Sequence, residues 1–464
     1  MKPYAPRCLV LFSLLLGFPL SADEAWKAGV ARANITPQQP MWMAGYASRD
    51  RPGEGKLTEL WAKALVLEDA QGDRGLLLTL DLVGIGRELS VSICQEIEQR
   101  HGLARKDIAI CTSHTHTGPV VARNLAPMHR ALVPEGQRKL IDQYAETLQR
   151  QVIEAVGQAI SDLQPCRLGY QHSVATFAVN RRNNPERDVP AARNAGTLVG
   201  PYDHDVPVLA VYDPEKELKA VVFGYACHAT VLGVNQWSGD YPGFAQAELE
   251  LLHPGCQAMF WAGCGADQNP IPRRTVELAK HYGRRLAVAV DAALMTAKIV
   301  DITPDLETSY SEIDLELGEL PSRESLEQAA ASTNRYEQAR ARMLLDQIDA
   351  GKPLEQTYPY PVGLWKLGSD VRWIILGGEV VVDYALRLKS ELDGSVWVAG
   401  YSNDVMAYIP SRRVLREGGY EGATSMVYYG LPTIWSPTIE NAIVGEVVRQ
   451  ASSETLNTDG TPQP

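Results

Sequence analysis

Two histidines separated by one residue, His114 and His116, are the side chains in this sequence best suited to chemistry. They lie in Cys111-Thr112-Ser113-His114-Thr115-His116-Thr117-Gly118-Pro119. The apolar run Ile108-Ala109-Ile110 precedes them behind Arg105-Lys106-Asp107, and Gly118-Pro119 follows, so a buried strand should end in a loop here. In extended chain alternate residues face one side, which turns both imidazoles the same way. Such a pair can share a metal ion, or one ring can bind metal while the other moves protons. It can equally be a pair of hydrogen-bonding loop histidines.

The pattern of an apolar strand, a few small residues and then a chemically useful side chain returns along the chain. His228 follows the run 221–226, Asp267 follows 258–262 through Gly263-Cys264-Gly265-Ala266, and Glu379 follows 372–376 through Gly377-Gly378. Asp81 closes the run 76–80, where a carboxylate either holds a histidine or caps the next turn. Glu379 has an ordinary role available too, stabilising a helix that begins beside it. In α/β sheets, however, functional groups gather at the carboxyl ends of strands. Two imidazoles and a carboxylate supply the protein part of a catalytic zinc site with a position open to water. There is no G-x-S-x-G elbow for a serine nucleophile. Arg181-Arg182, in a polar loop, is either a solvated pair or a cation for a carbonyl oxygen or carboxylate.

Positioning these groups requires a scaffold, and hydrophobic periodicity outlines one. Hairpins are expected at 61–68 with 74–81 and at 206–212 with 220–227. Helices are expected at 89–101, 139–163, 244–252, 278–297 and 380–389, the last with Glu379 at its N-terminal edge, and two surface helices within 320–350. Ser238 to Gly243 reads as a turn. Strands 372–376 and 396–399 complete the core. The predicted class is α/β, a mixed β-sheet core covered by helices, with the metal site at the carboxyl ends of strands.

Residues 1–22 read as a signal peptide: Lys2 and Arg7, an apolar segment from Cys8 to Leu16, and Leu20-Ser21-Ala22 as the cleavage site. One catalytic domain over 23–450 and a polar, disordered tail over 451–464 follow. The protein is therefore expected to be exported, periplasmic or extracellular, with no integral membrane segment after cleavage. Its formal charge of −12 argues against nucleic acid as a partner. Cys94, Cys111, Cys166, Cys227, Cys256 and Cys264 remain after the leader; their spacings fit neither a dense disulfide framework nor a zinc knuckle, which leaves disulfides or buried thiols open.

Taken in order, these pieces resemble the N-terminal catalytic domain of the neutral/alkaline (non-lysosomal) ceramidases, over roughly Gly29 to Gly430. Ser113 to Pro119 resembles the family's H-T-H-S/T-G-P signature, Asn180-Arg181 its N-R loop, Cys227-His228 its second histidine strand, and Gly378-Glu379 its glutamate segment. Ser402-Asn403, Tyr408 and Tyr420-Glu421-Gly422-Ala423-Thr424 resemble its last conserved stretch. The resemblance implies a secreted zinc-dependent hydrolase that cleaves an amide (N-acyl) bond of a small-molecule substrate, lipid or other, by metal-activated water. It implies Zn2+ held by His114, His228, Glu379 and Tyr408, with His116, Arg181 and Tyr420 catalytic. Asp81, Asp240, Asp267 and Asn269 are candidates for substrate contact or support. Two departures stand out. Asn269 replaces the family's active-site serine and cannot act as a nucleophile. The chain also ends near the close of the family's catalytic domain, so no C-terminal β-sandwich is expected. A zinc-dependent deacylase or esterase for a sugar or cell-wall substrate, or a binding homologue without turnover, is the alternative.

Overall fold

The computed structural model describes residues 25–452. The expected signal peptide and the tail beyond Ser452 lie outside the described residues; Ala451 and Ser452 close the last helix. The large sheet contains β1 (Trp26–Asn34), β2 (Trp61–Glu68), β3 (Arg74–Leu80), β4 (Ile108–Thr112), β5 (Gln164–Val174), β6 (Asp205–Tyr212), β7 (Leu218–Tyr225) and β8 (Gln257–Ala262). Their spatial order is β4-β3-β2-β1-β5-β6-β7-β8, and Val300–Asp301 adds to β5. A second sheet runs β9 (Leu306–Glu316), β10 (Thr357–Leu367), β11 (Val371–Leu376) and β12 (Ser395–Ala399) in that order.

These twelve strands fall into three copies of one module. In each, three strands pair antiparallel, a helix follows, and a fourth strand pairs parallel with the third: β3 with β4, β7 with β8, β11 with β12. A parallel pair needs a crossover, and the helix supplies it. The crossover helices are Arg87–His101, Asp240–Leu252 and Val382–Glu391, and each module closes with a second helix: Glu135–Ser161, Val276–Leu294 and Ile439–Ser452. Each helix pair covers the outer face of its own module, so the molecule is layered helix, sheet, sheet, helix.

Strand alternation explains the layers. On β2, Ala64 and Val66 face the helices with Ile97, Leu148 and Val152, whereas Leu65 and Leu67 face the other sheet. The inter-sheet layer gathers Trp26, Trp261, Trp365, Trp373 and Trp397, all at most 2% exposed. At one end the sheets converge, since Gly400 N–H donates to Ala262 O at 3.0 Å and Asn403 N–H to Ile110 O at 2.7 Å. The fourth strands of all three modules therefore finish together.

Several expected boundaries shift. The helix expected from residue 380 begins at Val382, because Glu379–Val380 forms a parallel ribbon with Tyr408–Ile409. The expected turn at 238–243 is already helical from Asp240. All six cysteines of the described residues are buried and free. Burial pushes the Cys111, Cys166 and Cys256 thiols up to about 12, which suppresses the reactive thiolate. A chain starting at residue 23 should show no thiol reactive toward a disulfide reagent when native and six in denaturant, with identical mobility under reducing and non-reducing conditions. Four or fewer titratable thiols in denaturant would reveal a disulfide.

Asp404 lies buried beside the converging strands, accepting the Tyr358 hydroxyl at 2.7 Å. Burial pushes its carboxyl up to about 7 from 3.8. A raised folded-state value means that this group's stabilisation is complete below about pH 3.8 and is lost as pH rises through about 7. Asp404→Asn keeps an acceptor for Tyr358 and removes the titration. Its unfolding free energy from urea titration should equal wild type near pH 4 and exceed it at pH 8, by at most about 4 kcal/mol.

Candidate functional site

His114 and His116 lie just beyond β4, His228 beyond β7 and Glu379 beyond β11, so each module contributes to one point. The two histidines of the pair do not converge through strand alternation. His114 has φ +57°, left-handed backbone that bulky residues rarely adopt, and this turn brings its Nε2 to 3.1 Å from His116 Nε2. Tyr401 (φ +53°) packs against His114 with ring centres 4.3 Å apart and planes tilted by 34°. Such strain persists where the surroundings over-determine it.

Hydrogen bonds fix how the rings present themselves. His114 Nδ1 lies 2.5 Å from Val83 O, and His228 Nδ1 lies 2.7 Å from Gly265 O. Carbonyl oxygens only accept, so both Nδ1 atoms carry the proton and both Nε2 atoms present lone pairs. Those lone pairs face Glu379 Oε2 at 3.2 and 3.1 Å. Glu379 Oε2 is buried and has no hydrogen-bond donor among the described residues. The Tyr408 hydroxyl stands 3.4 Å from His228 Nε2. Ligands about 2.0–2.1 Å from a tetrahedral ion lie about 3.3 Å from one another, which matches this set of separations. Three electron-rich atoms facing one point, with nothing to separate them, is an arrangement that a cation satisfies. The group of buried His114 and His228 with half-buried His116, whose ligand atoms lie within 4.8 Å of one another, could hold a metal ion.

Electrostatics agree. Burial, reinforced by His114 and His228, holds the His116 imidazole well below its usual range. Burial and then Arg181 hold His228 down at about 4. Burial alone would raise the Glu379 carboxyl, but His114 and His228 outweigh it and keep it well below the carboxylate range. The Glu379 carboxylate is thus ionised, the protonation state that a metal ligand requires.

The cleft above this point has a volume of about 640 Å³ and is lined by His116, Arg181, Asn269, Tyr408 and Tyr420 among others. Arg181 reaches the Tyr408 hydroxyl at 3.1 Å and Asn269 Oδ1 at 3.3 Å, and its guanidinium lies over the Tyr420 ring. The remaining candidates stand outside the cluster. Asp267 accepts from Val382 N–H and Asn180 Nδ2, both at 3.0 Å, tying the second and third modules together. Asp240 accepts from the Leu232 and Val231 amides, and burial pushes its carboxyl up to about 6. Asp81 caps Trp61 N–H at 3.0 Å. None of these three touches the histidines.

Three contributors escaped the sequence reading. Tyr429 donates its hydroxyl to Glu379 Oε1. Glu421 receives Arg181 at 2.8 Å and Arg182 at 2.6 Å. Gly45 makes room for His116, since a Cβ there would lie 2.4 Å from the ring. Only Glu421 had a signal, its place beside Tyr420.

Residues 26–316 match the family model "Neutral/alkaline non-lysosomal ceramidase, N-terminal". The chain belongs to that family. Glu379, Tyr408 and Tyr420 lie past the matched residues, in the third module. The neutral ceramidase of Drosophila pseudoobscura pseudoobscura is 28% identical over 251 residues, 52% of this chain and 34% of that protein. The chain thus matches about a third of that curated relative. Among solved structures, a ceramidase complexed with C2 superposes with a TM-score of 0.69 at 17% identity, and neutral ceramidase from Pseudomonas aeruginosa with 0.68 at 18%; each covers 92% of this chain and 74% of the other. The fold is that of the family.

Elemental analysis of the purified protein should find about one divalent metal per chain. Glu379→Gln, which replaces an anionic acceptor by a neutral amide, should weaken metal retention by at least about tenfold while far-ultraviolet dichroism is unchanged. Equal metal content in wild type and variant would remove Glu379 from the site.

Proposed function

We propose that this protein is an exported, zinc-dependent amidohydrolase that cleaves an N-acyl bond, with His114, His228, Glu379 and Tyr408 holding the ion. The observation that carries this reading is the convergence of two Nε2 lone pairs and an ionised, unpaired carboxylate oxygen beneath an open cleft. Family membership supports hydrolysis, and the apolar segment after Lys2 and Arg7 supports export. No helix among the described residues is long and apolar enough to cross a membrane.

A bound zinc ion supplies Lewis acidity toward a carbonyl oxygen and toward water. The chain's own residues do the rest. His116 lines the cleft with its Nε2 3.1 Å from His114 Nε2, beside the place where the attacking water would be held, and would take a proton from that water and pass it to the departing amine. Arg181 and Tyr420 face the same space and would hold the scissile carbonyl oxygen, where negative charge develops. Glu421 fixes Arg181 through its Nε, leaving the Nη atoms directed at Tyr408 and Asn269. Asn269 offers an amide beside Arg181 and no nucleophile, which favours direct attack by water over an acyl-enzyme.

Full-length protein should release amine from N-acyl substrates, lose that activity on chelation and regain it with zinc. His116→Ala should lower kcat about a hundredfold to ten-thousandfold at unchanged metal content. Stoichiometric zinc without hydrolysis of any N-acyl or O-acyl compound would instead identify a binding protein.

A further inference from the structure

Two cavities meet at Tyr420 and Tyr428, and their chemistry differs. The catalytic cleft is charged: Arg181, Arg182, Glu186, Arg273, Glu417 and Glu421 line it. The pairs Arg181–Glu421 and Arg182–Glu417 balance one another. The opposite rim does not balance. Arg273 donates to Glu186 Oε2 at 3.1 and 2.8 Å, and Arg274 grips the same carboxylate. Two guanidiniums share one acid, and no second carboxylate among the described residues forms an ion pair with either, so these three side chains sum to one formal positive charge; the buried Asp240 carboxylate that Arg273 also feels is held by backbone amides. Arg274 has φ +88°, held by its N–H to Val231 O.

The second cavity, about 470 Å³, lies between the polar segment Tyr420–Tyr429 and a helical hairpin, Arg323–Ala330 with Arg335–Asp349. Leu326, Ala329, Ala341, Leu344, Ala423 and Val427 give it apolar walls. Its charged residues are turned to their own partners: Arg340 donates to Leu431 O and Pro432 O, and Glu337 accepts from Asn334. The hairpin is fastened across the cleft mouth by Arg335 to Ala47 O at 2.8 Å and by Tyr336 against Tyr428, ring centres 5.1 Å apart. Tyr420, 43% exposed, stands between the two spaces.

We propose that the substrate is a single-chain N-acyl compound whose amine part bears a carboxylate, with the acyl chain under the hairpin and the carboxylate at Arg273 and Arg274. The proposal rests on the amidase reading above and names its substrate class. An amide has two branches, and this site offers one apolar and one cationic place to put them. The volume of the apolar space suits one small-molecule branch. A compound with two hydrocarbon branches would lay one across paired guanidiniums and carboxylates and strip them of water, which is unfavourable without replacement hydrogen bonds. A planar guanidinium fork is well suited to a carboxylate.

Released amine from N-dodecanoylglycine, its neutral counterpart N-dodecanoylglycinamide, N-acetylglycine and N-dodecanoylsphingosine, measured with full-length protein and zinc, tests this. N-dodecanoylglycine should exceed each of the others in kcat/KM by about tenfold or more. Arg273→Gln, and separately the exposed Arg274→Gln, should abolish the preference for glycine over glycinamide through KM, costing the glycine derivative far more than the glycinamide. Leu344→Trp, which fills the apolar space, should abolish the preference for dodecanoyl over acetyl. Calorimetric binding of N-dodecanoylglycine to chelator-treated protein should weaken in the same variants, a readout independent of turnover. Fastest cleavage of the sphingosine amide, equal rates for charged and neutral glycine derivatives, or an equal loss on both in the arginine variants would overturn the proposal while sparing the amidase reading. Release of amine from none of the four would sink that reading itself.

Discussion

The structure is organised around a local electrostatic conflict: two imidazole lone pairs and a carboxylate oxygen, buried and turned toward one another. Nothing in their own chemistry holds them so. The carbonyls of Val83 and Gly265 claim the opposite ring nitrogens, and Tyr429 takes the other carboxylate oxygen of Glu379. A buried ionised carboxylate with one oxygen left without a donor is expensive, so the surrounding fold must be rigid enough to keep these three from relaxing apart. The tryptophan-rich layer between the sheets provides that rigidity, since packed cores transmit strain rather than absorb it.

The threefold module explains why the site lies where it does. Parallel pairing within each module leaves the third and fourth strands pointing the same way, and convergence of the sheets brings three such ends together. A histidine after β4, another after β7 and a glutamate after β11 occupy related places in successive copies. The copies share no visible sequence repeat. Their likeness resides in strand order and helix placement, and alternation of apolar residues can be satisfied by many sequences.

Much of the site was legible because its residues follow apolar runs through glycine or other small residues, a local pattern. His114, His228 and Glu379 all carried it, and the elements that hold them were recognisable from periodicity. What was hidden depends on distance in the chain. β5, β9 and β10 were missed: Leu306–Glu316 reads as polar because most of its side chains are only half covered, and Thr357–Leu367 contains Pro359 and Pro361, which discourage a strand assignment. Tyr429 and Tyr401 had no local signal, since their partners lie in other modules or on the far side of a loop. The inward turn of His114 could not be seen either. Two histidines at alternate positions suggest extended backbone, and the left-handed turn at the first of them requires neighbours that force it.

The placement of Glu379 in the third module has a bearing on how the cluster is completed. The first two modules supply His114, His116 and His228 and nearly all of the large sheet, whereas Glu379, Tyr408 and Tyr429 belong to the third. Without the third module the histidines have no carboxylate between them. Docking of the third module is therefore what completes the cluster: a chain in which it is missing or displaced would keep the imidazoles and lack the anion that faces them.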